Sequence, residues 1–242
     1  MSIIKTIKII FFILLSFCLY PSVIAGNLIL KNLGHSSFLI KGNKTSILLN
    51  PFKSVACASG LEEPTEVKAD FILASSRLAD EGYNPNNNLM FVDPGIYKIR
   101  DILLKGTAVP HDRLGGKRFG MATVWSWEQN NLKIVHMGGA AGEMDINDKI
   151  LLARPDILFI SIGGGIKSYD GEEASRIVKA LKPSLVIPVN FARGTKINDD
   201  CDFSNADLFL ENMKDFKVKY VGKIFQIKPK TIDQKTIYIF SN

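Results

Sequence analysis

Histidine and cysteine are scarce in this chain, with three of each among 242 residues. No two cysteines fall in Cys-x-x-Cys spacing, which excludes a zinc ribbon. Gly34-His35-Ser36 lacks the last glycine of a Gly-x-Ser-x-Gly turn, so it is no nucleophile elbow. Gly163-Gly164-Gly165-Ile166-Lys167-Ser168 lacks the four-residue spacing of a phosphate loop; its glycines read as letting a strand-end loop approach a site closely. Beyond residue 25 there is no long linker, repeat or low-complexity stretch. Nor is there a dense block of one charge. The lysines are scattered, densest at Lys214, Lys217, Lys219, Lys223, Lys228 and Lys230, with little aromatic interleaving. That is a solvated basic face, and nucleic acid is not an expected partner.

What is present suits one globular domain: 46% of residues are hydrophobic and 22% charged, enough for a sizeable core. Residues 1–25 stand apart from it. Lys5 and Lys8 precede an apolar run from Ile9, and Val23-Ile24-Ala25 puts small residues before Gly26 in the manner of a signal-peptidase site. The expected division is a signal peptide or N-terminal membrane anchor over 1–25 and a folded domain over 26–242. Phe17 before Cys18 makes a poor lipoprotein box. Loss of Lys5 and Lys8 leaves 28 basic against 24 acidic residues, a formal charge of +4. Cleavage also leaves two cysteines, Cys57 and Cys201, which in an oxidising compartment suggest one disulfide; two buried free thiols are the alternative.

Short β-like runs bounded by Gly, Pro, Asn or Asp fill the first half, among them Ser37–Ile40, Ser46–Leu49, Phe71–Ala74 and Met121–Trp127. In the second half strands such as Ile157–Ile160 and Leu185–Val189 alternate with helices. One helix starts at Asp170 with Glu173 in Asp-x-x-Glu spacing and Ala174, Ile177, Val178 and Leu181 on one face. Another follows Ser204 as N-cap, and a weaker one spans Asn147–Leu152. Continuous apolar strands beside one-faced helices imply sheets covered by helices. Trp125 and Trp127 share a strand face and read as packing between sheet and helix, with a substrate-stacking surface the lesser alternative. His35 and His136, at the ends of apolar strands, read as hydrogen-bonded core residues rather than ligands.

Gly34-His35-Ser36-Ser37-Phe38-Leu39-Ile40 followed by Ile47-Leu48-Leu49-Asn50-Pro51-Phe52 resembles the opening strands of the metallo-β-lactamase superfamily, in its ascorbate-phosphate-lactonase-like branch. His111-Asp112, Ile134 to Gly139, Pro155 to Leu158 and Ile187 to Phe191 follow in that family's order, so the resemblance covers residues 27–195. It is closest to an exported subgroup of photosynthetic bacteria with Asn-Pro-Phe and Ser-Ser-Arg-Leu in these places and a degenerate metal site. The resemblance implies an α/β fold, a four-layer αββα sandwich of the metallo-hydrolase type, with the site at one edge. The family's His-x-His-x-Asp-His loop becomes Ser76, Leu78, Asp80 and Glu81. A later histidine is retained as His111, the bridging aspartate falls on Gly139 and the last histidine on Asn190.

That substitution pattern removes most of the lone pairs two metals need. No cofactor is expected; the weaker alternative is one divalent ion held by Asp80, Glu81 and His111, better suited to a harder cation than zinc. The candidate pocket implied is Ser76, Arg77, Asp80, Glu81, His111, Asp112, Arg113 and Asn190. There Arg77 or Arg113 would either neutralise Asp80 or Glu81 in a plugged cavity or bind a small polar or anionic ligand. The resemblance therefore implies a pseudoenzyme that binds such a ligand or an envelope protein; the alternative is a one-metal hydrolase of an ester, lactone or phosphate. In the family's arrangement a Cys57–Cys201 disulfide would tie down the pocket mouth. The expected location is the periplasm, the thylakoid lumen or a membrane surface, with membrane contact only through an uncleaved residue 1–25 segment.

Overall fold

The structure is a computed structural model that describes residues 26–193 and 201–241. The expected signal or anchor segment lies outside the described residues. Fourteen strands run Leu28–Gly34 (β1), Ser37–Lys41 (β2), Ser46–Leu49 (β3), Phe71–Leu73 (β4), Met90–Phe91 (β5), Gly95–Ile99 (β6) and Ile102–Pro110 (β7). They continue with Met121–Gln129 (β8), Leu132–His136 (β9), Ile157–Ser161 (β10), Leu185–Val189 (β11), Lys217–Val221 (β12), Ile224–Ile227 (β13) and Thr236–Phe240 (β14). The helices are Ile146–Leu152 (α1), Gly171–Leu181 (α2) and Asp207–Asn212 (α3).

Two sheets form the sandwich. One has the order β13-β1-β2-β3-β4-β5, the other β12-β14-β11-β10-β9-β8-β7-β6. The wholly buried runs of β10 and β11 sit in the parallel centre of the larger sheet, where both faces are covered. Between the sheets lie Phe38, Phe71, Phe159 and Phe240. Trp125 and Trp127 are there too, so they pack between the two sheets rather than between sheet and helix. The Trp125 indole donates to Ala74 O at 2.8 Å, which satisfies its one polar atom.

A second core joins the larger sheet to the helices through Val135, Leu158, Ile160, Ile177, Val178 and Phe209. The Asp170 carboxylate caps α2 on Glu172 N and Glu173 N, and Glu173 returns to Asp170 N at 2.9 Å, closing a capping box. Helix α3 begins later than the apolar spacing predicts. Ser204 does not cap it, because its backbone is engaged with Gly163 O and Ala192 N. The α/β sandwich is thus present, with helices over the larger sheet, while among the described residues irregular chain and the 3-10 turn Ala56–Ala58 stand in for the helical layer over the smaller one.

This topology brings one set of strand ends to a single edge. The β1–β2 turn and the C-terminal ends of β3, β4, β7, β9, β10 and β11 deliver His35, Asn50, Ser75, His111, Gly139, Ile162 and Asn190 there. Parallel strands must all end on the same side, which is why residues spread over about 150 positions meet.

Candidate functional site

Glu81 is the centre of the edge. Its carboxylate is buried and accepts from Ser75 Oγ at 2.7 Å and Ser76 Oγ at 3.2 Å on Oε2, while Oε1 lies 3.3 Å from His111 Nε2. Burial alone would raise the Glu81 pKa. The His111 ring beside it, with lesser help from Lys167 and Ser75, outweighs burial and brings it down to about 2. Ser75 is held in turn by Asn50, whose amide donates to Ser75 Oγ at 2.9 Å and to Ser36 Oγ at 3.2 Å and accepts from Ser75 N at 2.8 Å. An aspartate at position 50 could accept from Ser75 N and from the Ser36 hydroxyl, but it could not donate to Ser75 Oγ, whose own proton goes to Glu81. The amide is matched to two hydroxyl oxygens, not to a cation.

Gly139 explains how Glu81 fits. A methyl group there would overlap His111 Nε2 and lie 2.5 Å from each Glu81 oxygen. The Glu81 carboxylate therefore fills the volume that a side chain at position 139 would otherwise enter. Gly138 beside it has φ of +54°, the left-handed region that glycine tolerates, and a side chain there would collide with Ser75 Cβ.

Not all the residues singled out from the sequence gather here. Asp80, Glu81, Ser76, His111 and Asn190 do. Arg77 instead pairs with Asp93 at 2.8 Å, both side chains open to solvent. Arg113 grips Glu173 through Nε at 2.9 Å and Nη2 at 2.6 Å, and it donates to the carbonyls of Gly165 and Ser168. Neither guanidinium meets Asp80 or Glu81. Asp112 builds a loop: burial would raise its carboxyl, but N–H groups of Phe119, Arg118, Leu114 and Gly116 at 2.8–2.9 Å hold it low.

The cation that does enter the site is Lys167, which forms a close ion pair with buried Asp80 and lies 6.0 Å from the Phe119 ring centroid. Sequence reasoning took the glycines before it as a close-approach loop and passed over the lysine they carry. That approach is real: a side chain at Gly163 would overlap Asn190 O. Phe203 was also missed. Its ring stacks on His35 at 5.8 Å and 19°, so it roofs the edge. The Cys57–Cys201 disulfide, with Cα atoms 4.7 Å apart, anchors the chain just before Phe203. Four polar atoms around the edge are buried without a partner among the described residues: His35 Nε2, His111 Nδ1, His136 Nδ1 and Asn190 Oδ1.

These residues do not fit a two-metal cluster. Asp80 is engaged by Lys167, Glu81 by two serines and His111, position 78 is Leu and position 139 has no side chain. Among the described residues no three His, Cys, Asp or Glu side chains form a group able to hold an ion.

His136 is part of the support. Its Nε2 contacts Ser36 O at 3.2 Å and the ring is fully buried. Burial lowers its pKa from 6.5 to about 4, against the Ser36 carbonyl and Glu81. A folded-state pKa below the unfolded value means stability present above pH 6.5 and lost as pH falls toward 4, because only the unfolded chain takes the proton. The size is about 3 kcal/mol. Urea unfolding measured from pH 7.5 to 4.5 should show that loss in the wild type and a flatter profile in His136→Gln; parallel profiles would refute it.

Residues 29–190 match the family model described as a beta-lactamase superfamily domain. A metal-dependent hydrolase of Thermoplasma acidophilum is 24% identical over 183 residues, 65% of this chain and 80% of its own length. An inferred Zn-dependent hydrolase of the metallo-beta-lactamase superfamily from Thermotoga maritima superposes with a TM-score of 0.69 at 20% identity, covering 89% of this chain and 100% of that one. An isothiocyanate hydrolase from Delia radicum gut bacteria gives 0.61 at 13% identity, over 87% and 95%. At these identities the structural likeness is one of fold.

Proposed function

The chain belongs to the beta-lactamase superfamily domain family, and on that premise we propose that it is a metal-independent, non-catalytic member, exported from the cytoplasm, that holds a small polar ligand at the former active edge. One observation carries the reading: the Glu81 carboxylate, clamped by Ser75, Ser76 and His111, fills the space above Gly139. A buried, ionised carboxylate with its own donors needs no metal to balance it. Asn190 Oδ1, buried and unpartnered, supplies an acceptor for a ligand's N–H or O–H group, and His35 Nε2 a further free polar atom, donor or acceptor by its tautomer. Both arginines are engaged elsewhere, which favours a polar ligand over an anionic one. Export is supported by the disulfide, a bond that persists in oxidising compartments, and by the Lys5–Ala25 pattern.

The test is metal analysis of the protein purified from an exporting host, with an ester, lactone and phosphate hydrolysis panel beside it. Zinc, manganese and iron well below one equivalent, with no turnover, is the expected result. Near-stoichiometric metal that disappears in Asp80→Ala, together with turnover, would make the protein a one-metal hydrolase instead.

A further inference from the structure

Helix α1 is turned the wrong way for a surface helix. Its solvent side carries Ile146 and Ile150, each 68% exposed, and Leu151, 44% exposed. Beside it the larger sheet continues into β6 and β7, beyond the strands that contribute most to the helix-facing core. The register pairs Ile96 with Lys105 and Lys98 with Leu103, so these four side chains share one face. Ile96 is 73% and Leu103 47% exposed. Leu103, Lys105, Ser126, Lys133 and Leu151 line a groove of about 370 Å3 between strand face and helix. An apolar strip of this extent, rimmed by charge, is a surface made to be covered.

Two further observations say by what. Lys98 and Lys105 flank the apolar side chains, and Lys133 ties the end of α1 through Leu151 O and Ala153 O. Burial, then the nearby Lys105 charge, lowers the Lys133 pKa against Glu128 and Asp156; Asp101 and Glu128 form the lower rim of the groove, away from Lys98. The chain also enters the fold here: Gly26 O accepts from Asn130 Nδ2 at 2.8 Å, and Gly26 lines a neighbouring cavity that shares Asp101 and Glu128 with the groove. The sequence before Gly26 is the apolar run of residues 1–25. Gly26, where that run joins the fold, thus lies beside this face.

We propose that the face formed by α1 and the β6–β7 hairpin docks on an anionic bilayer surface, its isoleucines and leucines entering the interface and Lys98 and Lys105 meeting the lipid headgroups. Aliphatic side chains beside lysines suit that boundary, where the hydrocarbon is buried and the ammonium groups stay among anionic headgroups. Leu103 and Lys105 lie toward the start of β7, and the ligand edge is at its other end beyond Pro110.

Hydroxyl-radical footprinting of the full chain reconstituted with phosphatidylcholine–phosphatidylglycerol vesicles tests it. Modification of Ile96, Leu103, Ile146 and Ile150 should fall at least fivefold relative to phosphatidylcholine vesicles. Tyr220, on the far edge strand and 78% exposed, should stay reactive. Lys98→Glu with Lys105→Glu should restore modification while leaving the fold intact by circular dichroism. Unchanged modification on anionic vesicles would overturn the proposal, since residues 1–25 alone would then carry any membrane contact. Protection that rises with protein concentration without lipid would also overturn it, by putting a second copy on the face.

Discussion

Gly139→Ala should lower the unfolding free energy by about 3 kcal/mol, as expected for an overpacked site that also breaks a buried pair. The cost cannot come from the backbone, because Gly139 is not among the residues with positive φ. On entropy alone the change would stabilise slightly, by about 0.5 kcal/mol. The cost is the methyl group's overlap with His111 Nε2 and its 2.5 Å approach to both Glu81 oxygens. To admit it, Glu81 must leave Ser75, Ser76 and His111, stranding buried donors. Glu81→Ala alone should cost about 4 kcal/mol, through the unpaired partners and the cavity. In that background the His111 ring, released from Glu81, can swing into the vacated space and away from the methyl, so Gly139→Ala should cost about 1 kcal/mol. A double-mutant cycle in urea should therefore show about 2 kcal/mol of coupling. If Gly139→Ala costs the same in both backgrounds, the Glu81 carboxylate neither fills this space nor holds the His111 ring against it, and the account of the site is wrong. Acid adds a check. Because the folded Glu81 pKa lies below its ordinary value of 4.5, its contribution is present above pH 4.5 and lost as pH falls toward 2. Glu81→Gln should remove that part of the acid limb.

Different parts of the molecule were legible in the sequence to different degrees, for physical reasons. Buried parallel strands such as β10 and β11 must be apolar throughout, and α2 announces itself by a capping box four residues long. These are local rules. The start of α3 was missed because Ser204 makes long-range backbone bonds to Gly163 and Ala192 instead of a cap. At the site, Ser76, Leu78 and Gly139 could be picked out by position through the family resemblance. The ion pairs formed by the charged residues around them could not. Arg113 finds Glu173 60 residues away, and Lys167 finds Asp80 87 residues away. Such partners are chosen by how two loops fold against each other, which leaves no periodicity. Lys167 wins Asp80 because the glycines before it let that loop close on the edge, while Arg113 is held by α2's own first turn.

Replacing both Cys57 and Cys201 by serine should lower stability by 2–5 kcal/mol. The bond closes a loop with a sequence separation of 144. For a loop of that length the chain-entropy account gives about 5 kcal/mol, an upper value since compact unfolded chains lose less. The bond also has a local task. It joins the 3-10 turn Ala56–Ala58, over the thinly covered smaller sheet, to the stretch carrying Asp202 and Phe203. Asp202 Oδ2 accepts from Ile166 N at 3.2 Å, next to Lys167, and Phe203 lies flat on His35. Without the bond the roof of the edge rests on those two contacts and on the Ser204 backbone bonds to Gly163 and Ala192, each individually small. The wild-type chain unfolded in urea with excess reductant should match the double serine variant without it. Mass mapping without reductant should find one Cys57–Cys201 peptide pair. An unchanged urea midpoint in the double variant would mean that the edge is held by packing alone. The pair would then lend the proposal of export no support, since a chain with reduced thiols would be as stable as one with the bond.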